Sequence, residues 1–332
     1  MLVVTAMYPK PGRPEFGAFV RNQFEALEQA GLDMNLLVLD GPNRKLVYPK
    51  GIFQLRSRLA ADSYDLVHAH YSFVGAVART QWKVPIVLTY HGSDLLGHVV
   101  DFDGRKTRFS QAAAAGGRML ANLVDAVIVQ SEEMARLLRR HDVNVIPHEI
   151  DFETFQPTGR ERARELLGLD PHRPYVLFAC RPDWRRKNFP VAQAAVEQVR
   201  SSFPDVELIV VYREPQPRLA LYMSACDVLS FPSLQEGSPN IIKQAMACNL
   251  PIVATDVGDI RELIETTEGC HVAAPSPQAF AAPIEQELSL RRRTNGRSAM
   301  RRFAPEIVTA RVAEVYETVL RGRRTRRVKA PS

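Results

Sequence analysis

An acid, a glycine and a predicted helix start follow one another in the segment FPSLQEGSPNIIKQAMACNLPIVATDV, residues 231–257. Glu236 and Gly237 precede Pro239, a residue that suits the first turn of a helix because its missing N–H costs nothing there. A carboxylate accepts hydrogen bonds from hydroxyl groups, and the free N–H groups of a helix start face negative charge. The segment therefore predicts a site for a polyol beside an anion, which is the combination that a sugar nucleotide presents.

Secondary structure around this site follows from spacing. Apolar residues recur at helical intervals after Pro239 and predict a helix over residues 240–248, which Asn249 ends. The run Pro251–Ala254 reads as a buried strand.

The same segment resembles the E-x7-E signature of retaining, GT-B-fold glycosyltransferases of family 4. Glu236 stands for the first glutamate, and Gln244 stands where the second glutamate usually is. The phrases AMACNLPIVATDVGD and ELI extend the match. The resemblance implies metal-independent transfer of a sugar from a nucleotide-sugar donor to a hydroxyl acceptor, with retention of anomeric configuration. It implies no cofactor, since the nucleotide sugar is a substrate, and it gives Glu236 the role of holding sugar hydroxyls.

The segment CRPDWRRKNFP, which follows a predicted strand over 175–179, contains four cations, and two of them, Arg181 and Lys187, are candidate site residues. Family members commonly carry an arginine and a lysine here, and the resemblance implies that Arg181 and Lys187 bind the donor diphosphate. Fixed cations lower the barrier to departure of a diphosphate, which gains negative charge as it leaves. Cys180 replaces the usual glycine, and the neighbouring arginines leave the alignment of Lys187 open by one residue.

Histidines lie near the ends of two predicted strands of the first half. The sequence HGSD at residues 91–94 resembles the family's H-G-x-D element, which implies that His91 contacts the donor sugar; capping of the turn is the alternative. His68 and His70 lie in LVHAHY. We expect these two side chains to alternate faces of the strand and therefore to form no metal pair. Structural roles are predicted for both. The alternative for His70 is a place on the acceptor side of the cleft.

The remaining donor-binding residues are inferred from the resemblance. Gly17, in the first loop YPKPGRPEFGAF, stands where a family glycine lies near the donor phosphates. Gln244 is expected to bind ribose, since an amide keeps an acceptor and adds donors. The helix start supplies the other predicted contacts, which are Gly237, Ser238, Asn240 and Ile241.

Some positions depart from the family pattern. Besides Gln244 and Cys180, His148 and Glu149 occupy a segment where the family usually has P-N-G, and only fifteen residues separate Val211 from Asp227. Two other functions therefore stay open: another GT-B enzyme such as a sugar-nucleotide epimerase, and a catalytically degenerate binding or scaffold protein.

The elements that must position these residues form an α/β pattern that occurs twice. At 332 residues and 45% hydrophobic content the chain can build two domains. The fold predicted is GT-B, with two facing Rossmann-like doubly wound domains and an interdomain cleft. The N-terminal, acceptor-side domain spans residues 1–156 and is joined by a C-terminal helix at about 305–320; the nucleotide-sugar-binding domain spans 157–304. Predicted strands are Leu2–Thr5, Leu36–Leu39, Leu66–His70, Ile86–Tyr90, Ala126–Gln130, Asn144–Ile146, Tyr175–Ala179, Glu207–Val211, Val228–Phe231 and Ile252–Thr255.

The composition of the chain restricts which cellular compartment and which kinds of ligand we expect. No apolar run approaches the length of a membrane span, the N-terminus reads as a strand, and cytoplasm is the prediction. The cysteines are not in C-x-x-C spacing and are expected to be buried free thiols, with no metal site.

The net charge of +6 resides at one end of the chain. Residues 321–329 hold six of the lysines and arginines, so the rest of the chain carries 37 basic and 37 acidic residues. This basic tail, residues 321–332, reads either as a solvated end or as a peripheral contact with an anionic membrane. No motif for binding nucleic acid accompanies the tail.

The resemblance implies an acceptor hydroxyl on a glycan, a glycolipid or a small molecule, and a lipid-linked hydroxyl is one of these cases. It suggests a role in polysaccharide or glycolipid biosynthesis.

Overall fold

Two parallel-sheet α/β domains face each other in a computed structural model, which describes residues 1–41 and 43–329. Side chains are described for these residues apart from residues 44, 45 and 324–329. The strands are β1 (Leu2–Thr5), β2 (Asn35–Val38), β3 (Val67–His70), β4 (Ile86–Thr89), β5 (Ala126–Val129), β6 (Val143–Val145), β7 (Tyr175–Phe178), β8 (Glu207–Val210), β9 (Val228–Phe231), β10 (Ile252–Ala254) and β11 (Cys270–Val272). The helices are α1 (Ala18–Gln29), α2 (Arg44–Ala61), α3 (Ser72–Ala78), α4 (Ser93–Leu96), α5 (Arg108–Leu120), α6 (Glu132–Arg136), α7 (Arg160–Leu167), α8 (Phe189–Val199), α9 (Gln216–Ala225), α10 (Asn240–Ala247), α11 (Ile260–Ile264), α12 (Pro277–Leu290), α13 (Gly296–Met300) and α14 (Pro305–Lys329).

The two sheets share one strand topology over five strands, to which the first sheet adds a sixth, β6. The first has the order β2-β1-β3-β4-β5-β6 and the second β11-β10-β9-β7-β8, with parallel pairing throughout. The direction of winding reverses between β1 and β3 in the first sheet and between β7 and β9 in the second. Ligands of open α/β sheets bind at the carboxyl ends of strands beside such a reversal, so the loops after these four strands are positioned to carry a site.

Continuous apolar runs explain which strands are central. Strands β1, β3, β4, β5, β7 and β9 are buried along their whole length, as expected for parallel strands covered on both faces. Residues of β2, β6, β8 and β11, at the sheet edges, are only half-buried. The doubly wound pattern predicted from sequence is therefore confirmed.

Helix α14 returns the end of the chain to the first domain. Val308, Val312, Val315 and Tyr316 pack in one apolar cluster with residues of α1, β1 and β4. The helix continues to Lys329, well beyond the end predicted at residue 320, and therefore includes the basic residues 321–329. Residues 330–332 of the predicted tail lie outside the described residues.

Most other differences from the sequence predictions concern element ends. Strands β2 and β6 each lie one residue earlier than predicted. Strand β11 was not predicted, because a three-residue edge strand with a central histidine gives almost no apolar signal. All four cysteines are free, with Cys226 and Cys248 buried and Cys180 and Cys270 half-buried. The part of the chain that the structure describes contains no helix that is both long and apolar enough to cross a membrane.

Candidate active site

The predicted site residues meet in a cleft between the domains. A cavity of about 430 Å³ is lined by loops at the carboxyl ends of both sheets. Gln244 does not line this cavity and lies one turn along α10 from Asn240. The predicted residues that line it are Gly17, His91, Arg181, Lys187, Glu236, Gly237, Ser238, Asn240 and Ile241.

Glu236 lies at the centre of a buried cluster of charges. Its Oε1 accepts hydrogen bonds from Lys187 Nζ at 2.6 Å and from Ser233 Oγ at 2.5 Å. Its Oε2 accepts one from a terminal guanidinium nitrogen of Arg186 at 3.0 Å. Burial would raise the pKa of Glu236, but the charges of Arg186 and Lys187 outweigh it and lower that pKa to about 2. The carboxylate is therefore ionised at physiological pH, and in this structure it is paired with two cations.

Local structure explains why both cations reach one acid. A 3₁₀ turn over Arg185–Lys187 follows the loop after β7, and Asn188 ends it in the left-handed region with φ 53°. The turn points Arg186 and Lys187 into the cleft, whereas Arg185 is exposed and stacks on the ring of Phe102 in the other domain, 4.7 Å from its centroid.

Arg186 is the cation that sequence reasoning missed. The structure places Arg181 at the rim of the cleft, where its Nε donates to Asp183 at 2.9 Å. Arg186, by contrast, touches Glu236 directly and also donates to the backbone oxygen of Gln235 at 3.3 Å. The signal was present in the run WRRK, but a run of cations does not indicate which members point inward.

Glycines bring the two domains into backbone contact beside Glu236. A Cβ on Gly237 would lie 2.8 Å from Met134 Sδ and 3.4 Å from the Cα of Gly92. Gly258 has φ +63°, and a Cβ there would lie 2.3 Å from the backbone oxygen of Gly237. Gln235 adds a hydrogen bond from its side-chain amide to the backbone oxygen of Leu96 at 3.3 Å. This packing fixes the loop that carries Glu236 against the loop that carries His91.

The start of helix α10 opens into the same cavity. Its first residues lack a side-chain cap, since Pro239 precedes Asn240. Among the described residues, Asn240 Oδ1 is buried without a hydrogen-bond partner. Free backbone N–H groups and an unpartnered amide oxygen are groups that a bound polar ligand would satisfy.

Gly17 closes the first loop where no other residue fits. Its φ is +73°, and a Cβ there would lie 2.4 Å from the backbone carbon and oxygen of Met7. The glycine therefore lets the loop after β1 fold tightly and begin α1 at the edge of the cleft.

His91 is bonded through both ring nitrogens to other histidines. Its Nε2 lies 3.2 Å from His70 Nδ1, and its Nδ1 lies 3.0 Å from His148 Nε2. The ring of Phe19 covers His91 and His148 at centroid distances of 4.8 and 4.6 Å. Both nitrogens of His91 are thus engaged, so contact between the imidazole and a sugar hydroxyl requires exchange of one of these bonds.

The three histidines joined by these contacts, His70, His91 and His148, are neutral. Burial, together with the neighbouring imidazoles, holds the pKa of His91 well below its usual value, and burial lowers the pKa of His70 to about 3. The backbone N–H groups of His91 and Gly92 donate to Asp94 Oδ1 at 3.0 Å each, which holds the HGSD loop in place.

The prediction that His68 and His70 point to opposite faces is wrong. Their ring centroids lie 4.2 Å apart, because residues i and i+2 of a strand share a face. His68 is buried between Tyr316 and Thr89, at 2.6 and 2.7 Å, and is structural. Within the described residues no group of three or more His, Cys, Asp or Glu side chains is arranged to hold a metal ion.

The segment that joins the domains contributes a second buried cluster. Lys243 Nζ, on α10, donates to the backbone oxygen of His148 at 2.9 Å. Among the described residues, both carboxylate oxygens of Glu149 are buried without a hydrogen-bond partner. Burial raises the pKa of Glu149 to about 7 and lowers that of Lys243 to about 8, although Asp259 and Glu149 oppose the shift of the lysine. His91, His148 and Lys243 therefore connect the first domain to helix α10.

A larger cavity of about 1290 Å³ lies far from these residues. It is lined by residues at the amino ends of β4, β5 and β6 and by helix α14, and none of the predicted site residues contributes to it. We therefore assign the chemistry to the interdomain cleft.

The chain is similar in sequence to known glycosyltransferases. The sequence profile of Glycosyltransferase Family 4 matches residues 3–154, and that of Glycosyl transferases group 1 matches residues 210–289. D-inositol 3-phosphate glycosyltransferase of Xylanimonas cellulosilytica is 27% identical over 89% of this chain and 81% of its own length. The putative teichuronic acid biosynthesis glycosyltransferase TuaC of Bacillus subtilis is 26% identical over 86% of this chain and 88% of its own length.

Solved structures show the same fold. Sucrose-phosphate synthase of Thermosynechococcus elongatus superposes with a TM-score of 0.79 at 21% identity, covering 97% of this chain and 99% of that one. HepE of Anabaena, in complex with UDP, superposes with a TM-score of 0.69 at 18% identity, covering 96% and 99%. The predicted GT-B fold is confirmed. The chain is a glycosyltransferase of the GT-B fold that resembles family 4.

Proposed function

We propose that this protein transfers a sugar from a nucleoside-diphosphate sugar to a hydroxyl acceptor, with retention of anomeric configuration and without a bound metal. One observation carries the proposal. Glu236, Lys187 and Arg186 are joined by hydrogen bonds of 2.6 and 3.0 Å at the start of α10, inside the interdomain cleft. This arrangement offers an acceptor for sugar hydroxyls and donors for a diphosphate at adjacent points.

The chemistry would be a single displacement on one face of the sugar. The bond from the anomeric carbon to the diphosphate oxygen breaks, and a bond to the acceptor oxygen forms. The acceptor's proton passes to the leaving phosphate oxygen. Lys187 and Arg186 stabilise the negative charge that the diphosphate gains, while Glu236 orients the sugar rather than attacking it. Arg181, at the cleft rim, adds a further cation for the diphosphate.

The remaining contacts divide along the cleft. The segment from Gly237 to Ile241, at the start of α10, would face the phosphates. Gln244, one turn farther along α10, would bind the ribose, although it does not line the cavity in this structure. Tyr212 and Arg213, in the short loop after β8, line the cleft beyond α10 and would face the base. The HepE complexes contain UDP and UDP-glucose, so UDP is the first nucleotide to test. The names of the relatives favour a cyclitol or glycan hydroxyl as the acceptor.

A two-stage experiment tests the proposal. Purified protein is first screened against UDP, GDP and ADP by thermal shift, since a ligand that binds only the native state raises the melting temperature. The matching sugar nucleotides are then incubated with candidate acceptors in the presence of EDTA. NMR of the product determines the anomeric configuration.

The expected product is a glycoside that has the same anomeric configuration as the donor sugar. Inversion would contradict the mechanism, and loss of activity in EDTA would contradict metal independence. Interconversion of sugar nucleotides without acceptor would indicate an epimerase. Binding without any turnover across the panel would indicate a catalytically degenerate protein.

A further inference from the structure

Helix α5 carries large apolar side chains on its outer side. Phe109 and Met119 are 77% and 72% exposed, and the residues between them on the same side, Ala112 and Gly116, are small and also exposed. Leu123, in the turn after α5, is 52% exposed. An amphipathic helix normally turns such residues inward, so this helix is apolar on both its core side and its outer side.

Trp82 extends the same surface. It is 73% exposed, and the guanidinium of Arg79 stacks on its ring at 3.5 Å from the centroid. The same arginine donates to the backbone oxygen of Leu123 at 3.0 Å. Arg79 therefore holds Trp82 beside Leu123. We call the surface formed by Phe109, Met119, Leu123 and Trp82 the α5 face.

The charged residues of α5 and of the turns that flank it are of one sign. Residues 104–124 include four basic residues and no acid, the basic ones being Arg105, Lys106, Arg108 and Arg118. Helix α14 passes the same corner, since the guanidinium of Arg323 donates to the backbone oxygen of Lys83, next to Trp82. The six basic residues of 321–329 thus begin beside the apolar side chains.

We propose that the α5 face and the basic end of α14 together bind the surface of an anionic lipid membrane. Exposed aromatic and aliphatic side chains enter the boundary between headgroups and acyl chains, while lysine and arginine attract anionic headgroups. A contiguous apolar patch rimmed by polar residues marks an interaction surface. The cations of α5 and of the last turns of α14 fit anionic lipid better than they fit a second copy of the same cationic surface, although Asp125 and Asp142 line the cavity beside Trp82 and Leu123.

The position of the α5 face gives this contact a consequence, which rests on the proposed function. Helix α5 packs directly under the HGSD loop, because Tyr90 Oη donates to the backbone oxygen of Gly117 at 2.6 Å. A membrane bound to α5 would therefore lie one helix away from the predicted transfer site and would favour acceptors at the bilayer surface.

Vesicle binding by the full chain tests the proposal without any activity assay. Vesicles of phosphatidylcholine with and without phosphatidylglycerol are sedimented with the protein at low salt. We expect sedimentation with the anionic vesicles only, and truncation after Leu320 should weaken it at least tenfold, given about 1 kcal/mol for each basic residue near such a surface. Absence of sedimentation with anionic vesicles at low salt would overturn the proposal.

A matched pair of substitutions separates the apolar contact from charge alone. Leu123 and Leu290 are each 52% exposed, but Leu290 ends α12 in the other domain. We expect Phe109→Ser, Met119→Ser and Leu123→Ser to weaken vesicle binding, and Leu290→Ser to leave it unchanged. Equal effects of Leu123→Ser and Leu290→Ser, or none from all four, would exclude the α5 face.

Tryptophan fluorescence gives a direct readout of insertion. The chain has two tryptophans, so Trp184→Phe leaves Trp82 as the sole reporter. Its emission should shift to shorter wavelength with anionic vesicles and be quenched by brominated phosphatidylglycerol. An unquenched Trp82 in protein that sediments would place the contact on the tail alone. Self-association at assay concentrations that buries Trp82 without lipid would identify a second copy as the occupant.

Discussion

The Nδ1 atom of His91 lies 3.0 Å from the Nε2 atom of His148, so the loop after strand β4 is bonded to the segment that joins the two domains. His148 in turn accepts a hydrogen bond from Lys243 through its backbone oxygen. The orientation of His91 is thereby tied to the donor-side helix α10, and His148 acts as a positioning residue for His91.

Replacement of His148 tests this link. His148→Phe keeps a ring against Phe19 but removes the nitrogen that partners His91. We expect kcat to fall about five- to tenfold, because one hydrogen bond is worth about 1 kcal/mol, while nucleoside-diphosphate affinity changes little. Steady-state kinetics and calorimetry measure the two effects, and the exposed His141→Phe is the control. An unaltered kcat in His148→Phe would contradict the role of His148 in positioning His91.

The cation run after β7 contains its own control. Lys187→Ala and Arg186→Ala each remove a donor to Glu236, and we expect kcat/KM for the donor to fall by ~10²-fold or more, the scale for one preorganised charge-stabilising group. Arg185→Ala, in the middle of the same run, removes an exposed side chain and should have a much smaller effect. Arg181→Ala should lie between these limits, since Arg181 lines the cleft rim and is paired with Asp183. A loss with Arg185→Ala as large as with Lys187→Ala would point to disruption of the turn instead.

Glu149 makes stability depend on pH. Its pKa is raised from 4.5 to about 7 in the folded chain, so between these values the folded state holds a proton that the unfolded state has lost. Its contribution is therefore complete at low pH and is lost as pH rises through 7. Glu149→Gln should be more stable, relative to the parent, at pH 8 than at pH 5, by up to about 3 kcal/mol.

Denaturant unfolding at the two pH values measures this difference. Lys243 and Asp259 lie in the same cluster and have pKa values of about 8 and about 6, within the same pH range. The comparison therefore uses the difference in unfolding free energy between Glu149→Gln and the parent rather than the parent curve alone. Glu153→Gln, at an exposed position, serves as the control. A pH-independent difference between Glu149→Gln and the parent would contradict the assigned pKa.

Two glycines of the first loop share a backbone angle but not an environment. Gly12 and Gly17 both have φ +73°, yet a Cβ on Gly12 would meet nothing within 4 Å whereas one on Gly17 would overlap Met7. Gly12→Ala should cost about 1–2 kcal/mol, the strain of a left-handed residue. Gly17→Ala should cost clearly more and also reduce donor turnover, because the loop must move. Equal melting temperatures for the two variants would mean that the loop adapts freely.

The fold could be predicted from sequence because its signals are local. Buried β-branched runs identified most strands of both sheets, and Asn249, which was predicted to end α10, has the left-handed backbone angle that asparagine tolerates. Only β11 was missed, and the extension of α14 into the basic segment gave no apolar signal.

The site could be predicted only in part. The segment around Glu236 is contiguous in sequence, so its spacing was readable. The contacts among His70, His91 and His148 join the ends of three different strands, and no local pattern relates them. The choice of Arg186 beside Lys187 depends on the direction of one 3₁₀ turn, which a run of cations leaves undetermined.

The most direct test of the central claim compares transfer and nucleotide binding in Glu236→Gln. The amide keeps the size of the side chain but weakens its acceptance of hydrogen bonds from sugar hydroxyls. Glu207→Gln, on the edge strand β8, is the matched control, because Glu207 is half-buried and is also paired with an arginine, Arg173. We predict that Glu236→Gln lowers kcat/KM for transfer by ~10²-fold or more, while the Kd for the free nucleoside diphosphate is unchanged or lower, because Arg186 and Lys187 stay available. Transfer at the parent rate, or loss of nucleotide binding together with transfer, would contradict the role assigned to Glu236.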